Sequence, residues 1–145
     1  MSGARQADGP RVAGDLMAAD PITVEAEAPL ADAARLMEER HVSGLPVVDA
    51  AGALVGVVSQ TDMLRARATE YLWANWAGLR VRHLMTSPAV TVHRQTPLAL
   101  AARRMDRHHV HRLVVVDDHD DARPIGVLST SDLVRAMAEV PPRGG

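Results

Sequence analysis

One stretch of this chain is written twice. Val42-Ser43-Gly44-Leu45-Pro46-Val47-Val48-Asp49, then Gly56-Val57-Val58-Ser59-Gln60-Thr61-Asp62-Met63, returns as Val110-His111-Arg112-Leu113-Val114-Val115-Val116-Asp117, then Gly126-Val127-Leu128-Ser129-Thr130-Ser131-Asp132-Leu133. Gly56 and Asp62 recur 70 positions on, as Gly126 and Asp132. Upstream the offset is 68: Leu16-Met17 returns as Leu84-Met85, Thr23-Val24 as Thr91-Val92, Pro29-Leu30-Ala31 as Pro97-Leu98-Ala99, and Met37, His41, Val42 and Leu45 as Met105, His109, Val110 and Leu113. The step from 68 to 70 falls in the turn between the two apolar runs, where extra residues cost little. The chain is thus two copies of one supersecondary unit of about 60 residues, a length at which a lone domain is marginally stable. Each copy is therefore expected to bury its sheet against the other.

Each copy reads as β-α-β-β-α. The runs Leu113–Val116 and Ile125–Leu128 are short and β-branched, as buried strands are. Between them Asp117–Pro124 reads as a solvated turn; in the first copy Ala50-Ala51-Gly52 fills that role. Ser59-x-x-Asp62 and Ser129-x-x-Asp132 have the spacing of a capping box, so a helix starts at each. Ile22-Thr23-Val24 reads as a strand. Pro29 then opens a helix with Leu30, Ala33, Ala34, Met37 and His41 along one face. The expected division is a flexible tail over 1–12, a first repeat over 13–70, a connecting helical segment over 71–80, a second repeat over 81–139 and a tail over 140–145.

Net charge over the 145 residues is −2 and cysteine is absent. That gives no global pull toward nucleic acid or anionic membrane, so no DNA or membrane partner is expected. It also excludes disulfides, thiol catalysis and zinc–thiolate sites. No apolar run is long enough to span a bilayer and residues 1–11 lack an apolar signal core, so the expected location is the cytoplasm. There is no Gly-x-Ser-x-Gly elbow, P-loop or His-Glu-x-x-His helix. No catalytic residue is assigned, and the chain is not expected to be an enzyme.

Three further clusters stand out. All three aromatic residues, Tyr71, Trp73 and Trp76, lie within six positions between the copies. Trp73 and Trp76 share a helical face, which suits either cover for the chain's own core or a subunit contact. His108, His109 and His111 are close in sequence but lack the three or four well-spaced ligands of a zinc site, and the acidic run 117–121 lacks the glycine and terminal glutamate of a calcium loop. No metal site is expected.

The doubled β-α-β-β-α unit, closed each time by Gly-hydrophobic-hydrophobic-Ser-x-x-Asp, resembles a tandem cystathionine β-synthase (CBS) domain pair, or Bateman module. The resemblance covers residues 13 to 139. The second copy, Val-His-Arg-Leu-Val-Val-Val-Asp, is similar to the nucleotide-binding repeats of the γ subunit of AMP-activated protein kinase. It implies an α/β (α+β) fold with two repeats packed about a pseudo-twofold axis, an adenosine compound bound in the inter-repeat cleft, and further pairing into a homodimer. No obligatory cofactor is implied. The expected ligand is AMP, ADP or ATP, with S-adenosylmethionine a weaker candidate, and the implied role is a stand-alone regulatory module that signals by conformational change to an unknown protein partner. The alternative is a ligand-independent dimerising scaffold.

On this resemblance Asp62 and Asp132 are the ribose-binding residues, since one carboxylate can accept from both hydroxyls of a 2′,3′-diol through charge-assisted hydrogen bonds. They stand at helix starts, near free N–H groups and the positive end of the helix dipole, which also suits phosphate. The same spacing serves a plain helix cap, and one residue can do both. Ser59, Thr61, Ser129 and Ser131 offer hydroxyls, and Thr23, Thr91 and Gly44 belong to the same expected sites. Ile22, Val24, Val42, Leu45 and Pro46 would line one adenine slot; Val90, Val92, Val110 and Leu113 the other. The copies differ where phosphate would lie: His111-Arg112 in the second against Ser43-Gly44 in the first. Arg suits bidentate phosphate contacts, so unequal sites are expected.

Overall fold

The computed structural model describes residues 11–69 and 74–139. In chain order the elements are α1 (Ala13–Leu16), β1 (Ala18–Ala19), β2 (Val24–Glu25), α2 (Leu30–Arg40), β3 (Gly44–Val48), β4 (Leu54–Ser59), α3 (Gln60–Ala68), two 3₁₀ turns (Trp76–Gly78 and Val81–His83), β5 (Thr91–His93), α4 (Leu98–His108), β6 (Arg112–Asp117), β7 (Asp120–Ser129) and α5 (Thr130–Glu139). They form a mixed α/β fold of two compact units, each with its own sheet and core. None of the described helices is long and apolar enough to cross a membrane.

Among the described residues the first unit comprises 21–69, 74–89 and 122–124. Its sheet runs β2-β3-β4, with β2 parallel and β4 antiparallel to the central β3. Leu45 to Val48 of β3 are buried in succession, the pattern of a strand covered on both faces. On α2, Leu30, Ala33 and Met37 share one face and are buried. Pro29 is the N-cap, as its preset φ suits, and the helix stops where His41 turns left-handed at φ 54°. His41 is therefore an exposed C-cap and not a member of the helix's apolar face, a correction to the sequence reading. The strand expected at Ile22-Thr23-Val24 is likewise displaced, to Val24–Glu25, because pairing with Val47 and Val48 sets its bounds.

The second unit comprises residues 11–20, 90–121 and 125–139 among those described. Its sheet runs β1-β7-β6-β5, with β5 parallel to β6 and β1 antiparallel to β7. Leu113 to Val116 are fully buried, and α4 covers the sheet with Ala101 and Met105. The solvated turn expected over Asp117–Pro124 is shorter than the sequence suggests. The Asp117 carboxylate accepts from the His119 amide at 2.8 Å, and β7 already begins at Asp120. The tight Asx turn brings the chain back at once, and the hairpin ladder overrides the low strand propensity of Asp and Pro.

The units are not the two sequence repeats. The segment that opens the first repeat, with Ala13, Leu16 and Met17, belongs to the core beneath β7. The matching segment that opens the second, with Val81, Leu84 and Met85, belongs to the core of the first unit. Ala18 pairs with Val127 of β7, and Thr86 bridges Val57 of β4. This exchange accounts for the recurring glycine. A Cβ on Gly56 would stand 2.6 Å from the Thr86 carbonyl oxygen, and one on Gly126 would stand 2.5 Å from the Met17 sulfur and 3.2 Å from the Ala18 carbonyl. Only a bare backbone admits so close a neighbour.

Of the connecting segment, Tyr71, Leu72 and Trp73 lie outside the described residues. Trp76 is half-buried against the first core, with the Arg67 guanidinium 5.4 Å from its ring centroid. Gly56→Ala should destabilise the fold by about 1–3 kcal/mol through overpacking. Gly126→Ala should cost less, because a methionine side chain can move and a backbone carbonyl cannot. Denaturant midpoints of the two variants check this order.

Candidate functional site

The two strand-to-helix junctions are built alike from local sequence. In the first unit the Ser59 amide donates to Asp62 Oδ2 at 2.7 Å, the Ser59 hydroxyl donates to the same oxygen at 2.9 Å, and the Asp62 amide donates back to Ser59 Oγ at 3.3 Å. In the second, the Ser129 amide donates to Asp132 Oδ2 at 2.8 Å and the Asp132 amide to Ser129 Oγ at 3.2 Å. Both capping boxes read from the sequence are therefore present, and Asp62 is only 7% exposed.

The two carboxylate oxygens do different work. Oδ2 serves the cap. Oδ1 faces an arginine of the same helix, Arg65 at 3.7 Å and Arg135 at 3.2 Å. Both arginines are exposed, and an ion pair of that kind is worth only about 0–1 kcal/mol. Oδ1 can thus exchange a mobile guanidinium for a ligand hydroxyl while the cap stays intact. The amides at the helix starts are less open than the sequence reading supposes. The Gln60 amide donates to the Ser43 carbonyl at 2.9 Å, and the Thr130 amide to the His111 carbonyl at 2.8 Å. Those bonds tie residue 43 to the first junction and residue 111 to the second.

The second junction accordingly gathers His111, Ser129, Ser131 and Asp132 at one end of β6 and α5, with Arg112 half-buried as the first residue of β6. The Thr130 hydroxyl also donates to the His111 carbonyl, at 3.1 Å. Beside it is an open depression of about 450 Å³, lined by Met105, Asp106, His109, Val110, His111 and Thr130 among others. Sequence reasoning missed Met105, Asp106, His109 and Thr130 as lining residues. Met105 lies in the second core, and no local pattern marks the groove between α4 and α5.

The expected adenine-lining residues divide by depth. Val24, Leu45, Val92 and Leu113 belong to the hydrophobic cores and Pro46 is buried, so these side chains present almost no surface. Ile22, Val42, Val90 and Val110 are half-buried at the core margins and do present some. Thr23, Gly44 and Thr91 are half-buried, and Thr61 is exposed on the first turn of α3. The Thr91 carbonyl accepts from Arg104 at 2.7 Å. Among the described residues no three His, Asp or Glu side chains are grouped to hold a metal ion.

Comparison with known proteins agrees with the duplication. The CBS domain profile matches residues 13–69 and again residues 81–139. The chain belongs to the CBS-domain family and carries that domain as a tandem pair. Among solved structures it is similar to the CBS domain pair of protein MJ0100 in complex with 5′-methylthioadenosine and S-adenosyl-L-methionine, at 26% identity and a TM-score of 0.78, covering 89% of this chain and 98% of that one. It is also similar to CBSX2 in complex with AMP, at 33% identity and a TM-score of 0.74, covering 90% and 98%. The 5′-AMP-activated protein kinase subunit gamma-3 of Sus scrofa is 33% identical over 118 residues, 79% of this chain and 23% of that protein. The chain spans about a quarter of the length of the curated relatives it matches.

Ser129→Ala, which removes a cap, should cost about 1 kcal/mol, whereas Arg135→Ala should cost under about 0.5 kcal/mol. Urea denaturation of the two variants measures the difference; an equal cost would mean that Oδ1 is not the spare oxygen.

Proposed function

We propose that this CBS pair is a regulatory module that binds an adenine nucleotide at its strand-to-helix junctions and passes the bound state to a partner. The observation that carries the reading is the doubled Ser-x-x-Asp junction, each with one carboxylate oxygen held by the cap and the other facing only a labile arginine. Likeness to CBSX2 in complex with AMP across nearly the whole chain supports the same ligand class.

The second junction is proposed as the stronger site. It has His111 and Arg112 where the first has Ser43 and Gly44, and the depression beside it falls within the ~300–1,000 Å³ of small-molecule pockets. Asp132 Oδ1 would accept from the ribose hydroxyls, and Ser129 and Ser131 would offer hydroxyls to phosphate or ribose oxygens. Arg112 and His111 would favour a phosphorylated ligand such as AMP, ADP or ATP over S-adenosylmethionine. The ligand's part is differential binding: it shifts the module only by as much as it prefers one of two arrangements. No catalysis is proposed. The module is proposed to act in the cytoplasm as a homodimer.

Titration calorimetry with AMP, ADP, ATP and S-adenosylmethionine tests this. AMP should bind wild type. Asp132→Asn, which keeps the size but removes the charge, should weaken binding about tenfold or more, as loss of charge-assisted hydrogen bonds implies. Arg112→Ala should weaken AMP more than S-adenosylmethionine. No heat with any ligand, together with an unshifted melting temperature, would replace the sensor by the ligand-independent scaffold.

A further inference from the structure

One side chain lining the depression of the second unit has no task in the fold. The Asp106 carboxylate is exposed and has no hydrogen-bond or ion-pair partner among the described residues. The walls beside it are apolar: Ala102 and Met105 from α4, Leu133 from α5 and Val110 ahead of β6. Such walls suit a flat ring, and the Met105 thioether is a favourable neighbour for an aromatic one. They do not suit a phosphate, which the Asp106 charge would repel.

The lining has diverged between the repeats toward space. Of its eight positions four hold the same residue in both copies. At three others the second copy has the shorter side chain: Asp106, Thr130 and Leu133 stand where the first has Glu38, Gln60 and Met63. Only His111 for Ser43 runs the other way. Thr130 also joins the depression to the ribose position. It is the first residue of α5, and Asp132 follows on the same turn, about 3 Å further along the helix axis. The strands offer a base less. Of the residues expected to wall the second adenine slot, Val92 and Leu113 are 1% and 0% exposed, and only Val110 lines the depression.

We propose that the groove between α4 and α5 seats the base of a nucleotide held at the second junction, and that Asp106 selects a base with an exocyclic amine. A 6-amino purine donates an N–H to the carboxylate. A 6-oxo purine sets a carbonyl oxygen against it, two acceptors with no proton between them, and is rejected. Asp106 is then a specificity-determining residue. The inference rests on the nucleotide reading above and adds to it where the base lies and which group reads it.

Titration calorimetry of the full chain with AMP and inosine 5′-monophosphate tests it, on wild type, Asp106→Asn and Ala102→Trp. Wild type should prefer AMP by about tenfold or more, as a hydrogen bond to a charged group implies. Asp106→Asn should lose that preference, because an amide can serve either base. Ala102→Trp, at an exposed position of α4, fills the groove and should weaken AMP at least about tenfold. Melting temperatures equal to wild type show that both variants are folded. Equal affinity of wild type for the two nucleotides would overturn the assignment while leaving the nucleotide reading. So would a preference that survives Asp106→Asn, or AMP affinity unchanged in Ala102→Trp. No binding of AMP to wild type would overturn both.

Discussion

The carbonyl oxygen of Thr86 leaves no room for a side chain at residue 56, and Met17 and the Ala18 carbonyl leave none at residue 126. Much of the architecture hangs on these two close approaches. Through them the segment that opens each repeat becomes part of the unit formed by the other repeat's strands. Ala13, Leu16 and Met17 complete one core; Val81, Leu84 and Met85 complete the other. A repeat of about 60 residues buries too little surface to stand securely by itself. Trading leading segments makes each core a product of both copies, so neither is complete without the other's chain.

The same strands deliver their ends to the two capping boxes. A cap needs a carboxylate fixed near the first amides of a helix, and a ribose diol needs a carboxylate fixed at a cleft edge. One residue can meet both needs because its two oxygens point to different partners. Asp62 and Asp132 hold their helices with Oδ2 and leave Oδ1 to exposed arginines. On the proposed reading, stability and ligand affinity would then be coupled only loosely, since the cap and the ligand use different oxygens.

Duplication gives two equivalent positions for every residue, and divergence at a few of them creates direction. His111-Arg112 against Ser43-Gly44 gives the two junctions different side chains, and on the proposed reading makes them unequal toward phosphate. Glu39 against Arg107 gives the two equivalent helices opposite charge at one repeat position. Both differences lie on exposed or half-buried positions, where charge can change without disturbing packing. The buried positions Leu30, Met37 and Leu45 have kept their apolar character in the second copy, with Met105 and Leu113 buried like their counterparts.

The sequence by itself determined what is local. Ser-x-x-Asp predicts a capping box because donor and acceptor lie within one helical turn, and both boxes formed at the expected residues. The β-branched run at Leu113–Val116 marked a buried strand, and the repeat offset marked the duplication. Tertiary structure decided what depends on distant partners. The run at Asp120–Pro124 became strand because its hairpin partner supplied a ladder, against the propensity of its residues. His41 and His109 left their helices for left-handed C-caps, both at φ 54°, where the backbone must turn into the next strand. Which core received Met17 and which received Met85 was also beyond local reading, because an apolar residue carries no record of the sheet it will cover. Pattern states that a side chain must be buried; only the folded chain, by the space left at Gly56 and Gly126, states where.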